Sequence, residues 1–133
     1  GYKYDFPTQN VVLCAAGSGI APIAAAIDSG ILNIDSSRSC RLYYGERTMD
    51  DVCLVSKFSE WENMGIQVVP VLSAPDDEWQ GRSGYLQTVL EEDGVPIPRN
   101  SAALICGMKG MADAVKQLLL QAGVFEGSIL FNF

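Results

Sequence analysis

Two glycine-bearing segments are the parts of this 133-residue sequence best suited to hold a ligand. The first covers residues 17–22 and reads GSGIAP, and the second covers residues 106–111 and reads CGMKGM. Each follows an apolar run and opens a predicted helix. Glycine permits a sharp turn, and a helix N-terminus offers free amides and a partial positive charge to a phosphate. Two such turns side by side favour an extended ligand with several phosphates over a single small anion.

The first segment differs from three better-known loops. No GK[ST] follows it, so it is not a P-loop, and Pro22 stands where the dinucleotide fingerprint has its third glycine. An esterase nucleophile elbow would need glycine in place of Ala16 and a histidine elsewhere. Taken alone, the segment could also be no more than a tight turn.

The sequence contains no histidine, which limits the chemistry available to it. Ser-His-Asp triads, Cys-His pairs, histidine general bases and histidine-ligated metal sites are all excluded within the chain. The four cysteines are widely spaced and form no CxxC pair, so no metal site is predicted. Cys14, Cys53 and Cys106 have apolar neighbours and are expected to be buried free thiols, which indicates a reducing, intracellular compartment.

Composition and charge favour one globular domain without a nucleic acid or membrane partner. Apolar residues make up 48% of the chain and charged residues 19%, as in globular proteins. The net charge of −7 disfavours binding to nucleic acid and to anionic membranes. No apolar run approaches the ~20 residues of a membrane-spanning helix, and the N-terminus shows no signal or transit peptide.

Apolar runs alternate with amphipathic segments along the chain. Strands are expected at residues 10–16, 39–45, 66–73, 101–106 and 128–133, and helices at residues 20–32, 50–64, 85–92 and 109–122. This alternation predicts an α/β fold of three layers, αβα, in which helices cover both faces of a five-stranded parallel sheet. Ligands of such sheets bind beyond the carboxyl ends of the strands, where both glycine segments fall. Pro70 within the third strand predicts a sheet edge or an unpaired amide there.

Together, these segments resemble the nicotinamide-dinucleotide-binding half of the ferredoxin–NADP reductase superfamily. The resemblance rests on the two glycine segments, on residues 42–47 (LYYGER) and on the aromatic end of the chain. Within the superfamily, the chain looks most like the plant and algal FAD/NAD(P)-binding oxidoreductases of the fruit-protein type. Those share residues 69–73 (VPVLS), followed by Pro-Asp-Asp and by a Trp-x-Gly-x-x-Gly-Tyr pattern, here at residues 79–85. The resemblance covers nearly the whole chain.

The resemblance implies a role for each matched residue. The turn at residues 17–19 would hold the pyrophosphate of the dinucleotide, and Pro22 would fix the start of the following helix. Ser73 would lie near the adenosine ribose and Arg47 on the adenosine side, with a solvated arginine as the alternative. Core packing is the alternative for Met111. The residues implied to contact the dinucleotide are Gly17, Ser18, Gly19, Pro22, Arg47, Ser73, Asp76, Gly107, Met108, Lys109 and Met111.

The resemblance assigns the catalytic end of the site to Cys106 and Phe133. Cys106 would lie beside the nicotinamide ring where the hydride leaves, and Gly107 would let the ring approach the backbone. Phe133 would face the flavin ring of a partner domain and occupy the nicotinamide position until the cofactor displaces it. The alternatives are a buried structural thiol for Cys106 and edge-strand packing for Phe133.

One departure from the superfamily pattern bears on the choice of dinucleotide. Members that prefer NADPH commonly carry an arginine after the serine of the third strand, whereas this chain has Ala74, followed by Asp76 and Asp77. Carboxylates repel a 2′-phosphate and accept hydrogen bonds from ribose hydroxyls, so NADH is favoured over NADPH. A 2′-phosphate could still be bound by Arg47, Arg82 or Lys109.

Residues 1–133 are therefore expected to be the NAD(P)H-binding domain of a flavin-dependent oxidoreductase. The FAD-binding β-barrel that precedes this half in the superfamily is missing from the sequence, so FAD would be bound mainly by that domain of the same polypeptide. Electrons would pass from the dinucleotide to FAD and on to an unidentified acceptor, and a plastid location is compatible with the resemblance. The alternative is a non-catalytic module that senses NAD(P)H or has a structural role. A flavodoxin-like domain would need a loop rich in Ser and Thr, whereas residues 17–19 supply one hydroxyl.

Overall fold

The computed structural model describes residues 8–34 and 38–131. Its strands are β1 (Asn10–Ala16), β2 (Ser39–Glu46), β3 (Ile66–Leu72), β4 (Arg82–Ser83), β5 (Ser101–Cys106) and β6 (Ile129–Phe131). Its α-helices are α1 (Ile20–Asp28), α2 (Val55–Asn63), α3 (Leu86–Asp93) and α4 (Lys109–Ala122). Short 3-10 turns occur at Gly17–Gly19, Met49–Asp51, Pro98–Asn100 and Glu126–Ser128.

The strands form one sheet in the order β4-β3-β2-β1-β5-β6, and every neighbouring pair is parallel. The predicted α/β class and parallel sheet are confirmed, but the prediction of five strands is wrong because the described residues form six. The additional strand, β4, lies in a segment expected to be a loop, and its two residues are too few to show a strand pattern in sequence. β4 pairs with Val71 and Leu72, and within residues 8–34 and 38–131 no strand pairs with β3 beside Pro70 on that edge, as the proline predicted.

Helices cover both faces of the sheet and create two apolar cores. Alternate residues of each strand point to opposite faces, so Leu13 of β1 enters one core while Cys14 enters the other. The first core receives α1 and Trp61 of α2, and the second receives α3 and α4. Because β1 is sandwiched on both faces, its residues are nearly all buried, which explains its continuous apolar run. The predicted αβα layering is therefore confirmed.

The segment before α2 differs most from the predicted helix at residues 50–64. Thr48 donates its backbone N–H and its hydroxyl to the Asp51 carboxylate, at 3.3 and 3.0 Å, which closes a separate 3-10 turn. Leu54 then adopts the left-handed region with φ of 61°, and α2 begins only at the next residue. Cys53 lies in this connection and is exposed, so the prediction that its thiol is buried is wrong. Cys14 and Cys106 are buried, as predicted.

A polar contact joins α1 to α2 beside the first core. The Asp28 carboxylate, at the end of α1, accepts a hydrogen bond from the indole N–H of Trp61 at 3.1 Å. Lys57 pairs with the same carboxylate at 2.7 Å. These contacts satisfy the only polar atom of a tryptophan side chain that is otherwise buried in apolar surroundings. None of the helices in the described ranges has the length and apolar character needed to cross a membrane.

Candidate functional site

A cavity of about 900 Å³ opens at the carboxyl ends of the central strands. Its size suits an organic ligand, since ligand pockets commonly have volumes of ~300–1,000 Å³. Nearly all of the residues predicted to bind the dinucleotide line it: Gly17, Ser18, Gly19, Pro22, Arg47, Ser73, Gly107, Met108 and Met111. Asp76 and Lys109, which were predicted with them, are not among the lining residues.

The turn after β1 forms the floor of the cavity. Gly17 has φ of +58°, a backbone conformation that residues with a side chain rarely adopt. A Cβ atom at Gly19 would overlap the carbonyl oxygen of Cys106 and lie 2.9 Å from the amide nitrogen of Gly107. Glycine at position 19 therefore allows the turn after β1 to touch the end of β5, and the two glycine segments of the sequence meet here.

Two helices begin at the cavity with their N-termini facing it. Pro22 lies in the first turn of α1, and Gly110 and Met111 lie in the first turn of α4. The first amides of α4 have no acceptor within the helix. At α1, the Ile20 N–H already bonds to the carbonyls of Gly17 and Ser18, so the amides offered there belong to the turn Gly17–Gly19. The aligned peptide dipoles place partial positive charge at the start of both helices. The floor of the cavity can therefore bind anionic groups such as phosphates with backbone amides.

The ends of β2 and β3 are held together beyond their last strand residues. Ser73 donates its amide N–H to the carbonyl of Glu46 at 3.0 Å, and Ala74 donates to the carbonyl of Arg47 at 2.8 Å. These bonds keep Arg47 and Ser73 at the same rim of the cavity. Arg47 is the one cationic side chain among the described residues that line the cavity.

The start of α3 adjoins the same rim, and the sequence motifs assign it no role. Tyr85 precedes the helix and leaves 65% of its surface exposed to the cavity and to solvent. Its position is fixed because Gly84 donates its amide to the Leu72 carbonyl at 2.8 Å, next to the β3–β4 pairing. The lining residues without a predicted role are Ala16, Gly45, Glu46, Gly84, Tyr85, Leu86, Gln87 and Gly110. In the sequence, the signal that could indicate Tyr85 is a tyrosine that follows a glycine at the start of a predicted helix.

The polar residues expected to attract or repel a 2′-phosphate include three that have hydrogen-bond or ion-pair partners within the chain. Lys109 pairs with Asp113 at 2.8 Å, a contact that raises the pKa of Lys109. Arg82 pairs with Asp93 at 3.0 Å. The carboxylate of Asp76 accepts the backbone N–H of Glu78 at 2.9 Å, within its own loop.

The Asp93 carboxylate also joins α3 to β2 of the sheet. The hydroxyl of Tyr43 in β2 donates to Asp93 at 2.8 Å, and Arg41 donates to that hydroxyl at 2.9 Å. Burial alone would raise the pKa of Asp93, but hydrogen bonds from Tyr43 and Arg82 hold it below its ordinary value. The contact of Arg82 with Asp93 thus belongs to a structural cluster.

Cys106 and Phe133 are the two residues predicted to be catalytic, and the structure describes only Cys106. The Cys106 side chain is fully buried at the end of β5 in the first core. The backbone carbonyl of Cys106 packs against Gly19. Cys14 in the neighbouring strand is equally buried, and burial, with a smaller effect of Cys106, raises its pKa to about 12. Phe133 lies outside the described residues.

Comparisons with known proteins agree with this geometry. Residues 13–117 match the sequence model of a family described as "Oxidoreductase NAD-binding domain". The chain is 32% identical over 127 residues to Fruit protein pKIWI502 of Actinidia deliciosa, covering 95% of this chain and 39% of that protein. It is 31% identical over 121 residues to NADH-cytochrome b5 reductase 2 of Aspergillus oryzae, covering 85% of this chain and 38% of that protein.

A solved structure shows the same fold. The chain is similar to the Amycolatopsis cytochrome P450 reductase GcoB, with a TM-score of 0.81 and 28% identity, over 96% of this chain and 38% of that one. The chain thus spans less than half the length of each of these three relatives.

Proposed function

Because this chain belongs to the family of oxidoreductase NAD-binding domains, we propose that it binds the nicotinamide dinucleotide of a flavin-dependent oxidoreductase and positions its ring for hydride transfer. The observation that carries the proposal is the meeting of Gly19 with the end of β5 on the floor of a cavity that two helix N-termini face. A floor of amides with no protruding side chain fits a pyrophosphate, which needs close approach to the backbone.

The pyrophosphate is proposed to lie on the turn Gly17–Gly19, between the N-termini of α1 and α4. Amides and helix dipoles at this point act together on the same anionic groups. The hydroxyl of Ser18, which is exposed at the cavity, can donate a further hydrogen bond.

The adenosine half is proposed to lie along the rim formed by β2, β3 and α3. Ser73 lies near the ribose, and Arg47 contributes positive charge to the phosphates of this half. The exposed ring of Tyr85 offers a flat surface for the adenine, and Gln87, which lines the same cavity, offers an amide as a polar partner.

The nicotinamide is proposed to lie at the end of β5, against Gly107 and beside Cys106. A Cβ atom at Gly107 would lie 2.5 Å from the end of the Met111 side chain and 3.3 Å from both the Cβ and the carbonyl oxygen of Ala16, so a side chain here would crowd the floor. When bound, the reduced nicotinamide supplies a hydride to the flavin of an FAD-binding domain. This chain's contribution is to hold the ring at the correct distance and orientation. Phe133 is proposed to lie on the flavin side.

NADH is proposed as the preferred dinucleotide. Ala74 provides no cation after Ser73, and Lys109 and Arg82 are each paired with a carboxylate. The Aspergillus oryzae relative is named as an NADH enzyme, which supports the same preference. The FAD-binding domain is proposed to belong to the same polypeptide, since this chain spans only part of its relatives.

Calorimetric titration of the intact protein with NAD⁺ and NADP⁺ tests the proposal, followed by rapid-mixing measurement of flavin reduction. We expect saturable binding of NAD⁺ and bleaching of the flavin absorbance on mixing with NADH. Absence of binding of either dinucleotide at millimolar concentration would overturn the proposal. Binding without flavin reduction would instead support the non-catalytic module.

A further inference from the structure

We infer that Glu46 is a specificity-determining residue of the cavity, held in place by Tyr44. Its carboxylate accepts hydrogen bonds from an unmodified ribose and repels a ribose that carries a 2′-phosphate. The inference rests on the proposed function, since it concerns the dinucleotide assigned to this cavity. It places the choice between the two dinucleotides at the end of β2 rather than in the loop that follows β3.

Glu46 is the last residue of β2 and lines the cavity. It is the one carboxylate among the described residues that do so. Its carbonyl accepts the amide N–H of Ser73 at 3.0 Å, which fixes its backbone beside the residue proposed to lie near the adenosine ribose. The ribose would therefore meet Glu46 and Ser73 together, at the ends of two adjacent strands.

Tyr44 orients the Glu46 carboxylate. Its hydroxyl donates to Glu46 Oε2 at 2.7 Å and accepts the backbone N–H of Cys53 at 3.0 Å. Since the amide of Cys53 can only donate, the single hydroxyl proton of Tyr44 is committed to Glu46. The Tyr44 ring is itself fixed, because it is buried and packs edge-on against Phe58 with ring centres 6.3 Å apart. Burial raises the pKa of Tyr44 above its ordinary value, so the hydroxyl stays protonated at neutral pH.

The second carboxylate oxygen, Oε1, receives no hydrogen bond from a described residue. A carboxylate can accept hydrogen bonds at both oxygens, so Glu46 keeps capacity for the vicinal hydroxyls of a ribose. A phosphate at the 2′ position would replace one of these donors with negative charge, and like charges brought together at a binding site cost affinity. The carboxylate of Asp76 is less suited to this role, because it caps its own loop and does not line the cavity.

Arg47 makes the role of Glu46 testable. It follows Glu46 directly, lines the same cavity and has no ion pair with a described residue. The Glu46 carboxylate and the Arg47 guanidinium offer opposite charges to the ribose. Neutralising Glu46 leaves the cation of Arg47 unopposed, and the preference should then move towards the 2′-phosphorylated ligand.

The experiment is calorimetric titration of the intact protein with ADP-ribose, 2′-phospho-ADP-ribose and 2′-deoxy-ADP-ribose. Wild type should bind ADP-ribose most tightly. In Glu46→Gln, we expect the ratio of the Kd values for the phosphorylated and unphosphorylated ligands to fall by about tenfold, as loss of a like-charge contact implies. The penalty for the 2′-deoxy ligand should shrink as well. Glu62→Gln, which neutralises an exposed carboxylate of α2 away from the cavity, should leave both ratios unchanged.

The Tyr44→Phe variant tests whether the Tyr44 hydroxyl positions the Glu46 carboxylate or only stabilises the fold. Removing the hydroxyl should move the Kd ratio in the same direction as Glu46→Gln, though by less, and should add little to the double variant. A structural defect alone would lower the melting temperature without changing the ratio. If wild type binds both ligands and Glu46→Gln leaves the ratio within twofold, Glu46 has no role in specificity. If wild type binds none of the three ligands, the proposed function fails and this inference fails with it.

Discussion

Gly19 in the turn after β1 packs against the carbonyl oxygen of Cys106 at the end of β5, leaving no space for a side chain between them. This contact joins the two glycine segments into one floor. Gly19 therefore belongs both to the candidate site and to the packing of the turn after β1 against β5.

Substitution of Gly19 should therefore damage stability and binding together. In Gly19→Ala, the added methyl would overlap the Cys106 carbonyl, so β1 and β5 would have to move apart. Overpacking of this kind costs about 1–3 kcal/mol. We expect that loss in urea unfolding, with at least a tenfold weaker affinity for NAD⁺ in calorimetry. Gly127→Ala, where nothing lies within 4 Å of the added methyl, is the control. A stable Gly19→Ala with normal affinity would contradict the close-packed floor.

The contact between Asp28 and Trp61 should contribute to the stability of the α1–α2 layer. Asp28→Ala leaves the buried indole N–H of Trp61 without its acceptor, which costs about 1–3 kcal/mol. Lys57→Met removes only the exposed partner of Asp28, so its effect on the free energy of unfolding should be smaller. Chemical denaturation of both variants checks this order. Equal losses in the two variants would show that the ion pair, which both remove, matters and the indole contact does not.

The same contact predicts a dependence on pH. Hydrogen bonds from Lys57 and then Trp61 lower the pKa of Asp28 in the folded protein. A carboxyl with a lowered folded pKa stabilises the fold above its unfolded pKa, and the contribution disappears as pH falls through the folded pKa. The stability difference between wild type and Asp28→Ala should be full at pH 7 and smaller below the ordinary value of 3.8. Urea unfolding across this range measures it, and a difference that grows on acidification would refute the assignment.

Tyr85 should contribute to nucleotide affinity through its ring. Tyr85→Ala removes the flat surface proposed for the adenine, and aromatic stacking is worth about 0.5–1.5 kcal/mol. We therefore expect Kd for ADP-ribose to rise by about fivefold, whereas Tyr85→Phe should bind nearly as wild type does. Calorimetry distinguishes the cases: equal losses in both variants would assign the contact to the hydroxyl, and no loss in either would remove Tyr85 from the site.

Cys106 should affect hydride transfer more than dinucleotide binding. Cys106→Ala shortens a side chain at the end of β5 next to the proposed nicotinamide position, and small errors in ring position slow such reactions strongly. We expect flavin reduction in the intact protein to slow by about tenfold or more, with Kd for NAD⁺ within about twofold of wild type. Cys14→Ala, an equally buried thiol of the other core, is the control. An unchanged rate would make Cys106 a packing residue.

The large elements of the fold could be predicted from sequence because long, buried segments carry strong patterns. β1, β5 and α4 have the predicted bounds, since continuous apolar runs and a regular helical face leave little choice. β4 could not be predicted, because two residues have no periodicity and pair only through the fold of the preceding loop. The connection before α2 was also missed, since Thr48 and Asp51 form a local turn that interrupts an apparent helical pattern.

Of the residues in the candidate site, likewise, only some could be predicted from sequence. Residues within a strand-to-helix turn, such as Gly19 and Gly107, could be chosen from sequence because glycine directly after a buried strand indicates a sharp turn or a close approach to the backbone. Glu46 and Tyr85 reach the cavity through pairing of β2 with β3 and packing of α3, which depend on tertiary structure. The charge of Asp76 predicts a contact with the ribose, but a hydrogen bond from the Glu78 amide holds the carboxylate within its own loop.

The central place of β1 has a consequence for synthesis on the ribosome. β1 pairs with β2 from Ser39 onward, but its other neighbour, β5, begins only at Ser101. A nascent chain therefore cannot close the sheet until most of the described residues have left the exit tunnel. Until then, one edge of an apolar strand stays unpaired, and the long-range closure should limit the folding rate. A chain interrupted before Ser101 would lack β5 and leave β1 unpaired on one side. Its exposed apolar surface would be accessible to chaperones and proteases.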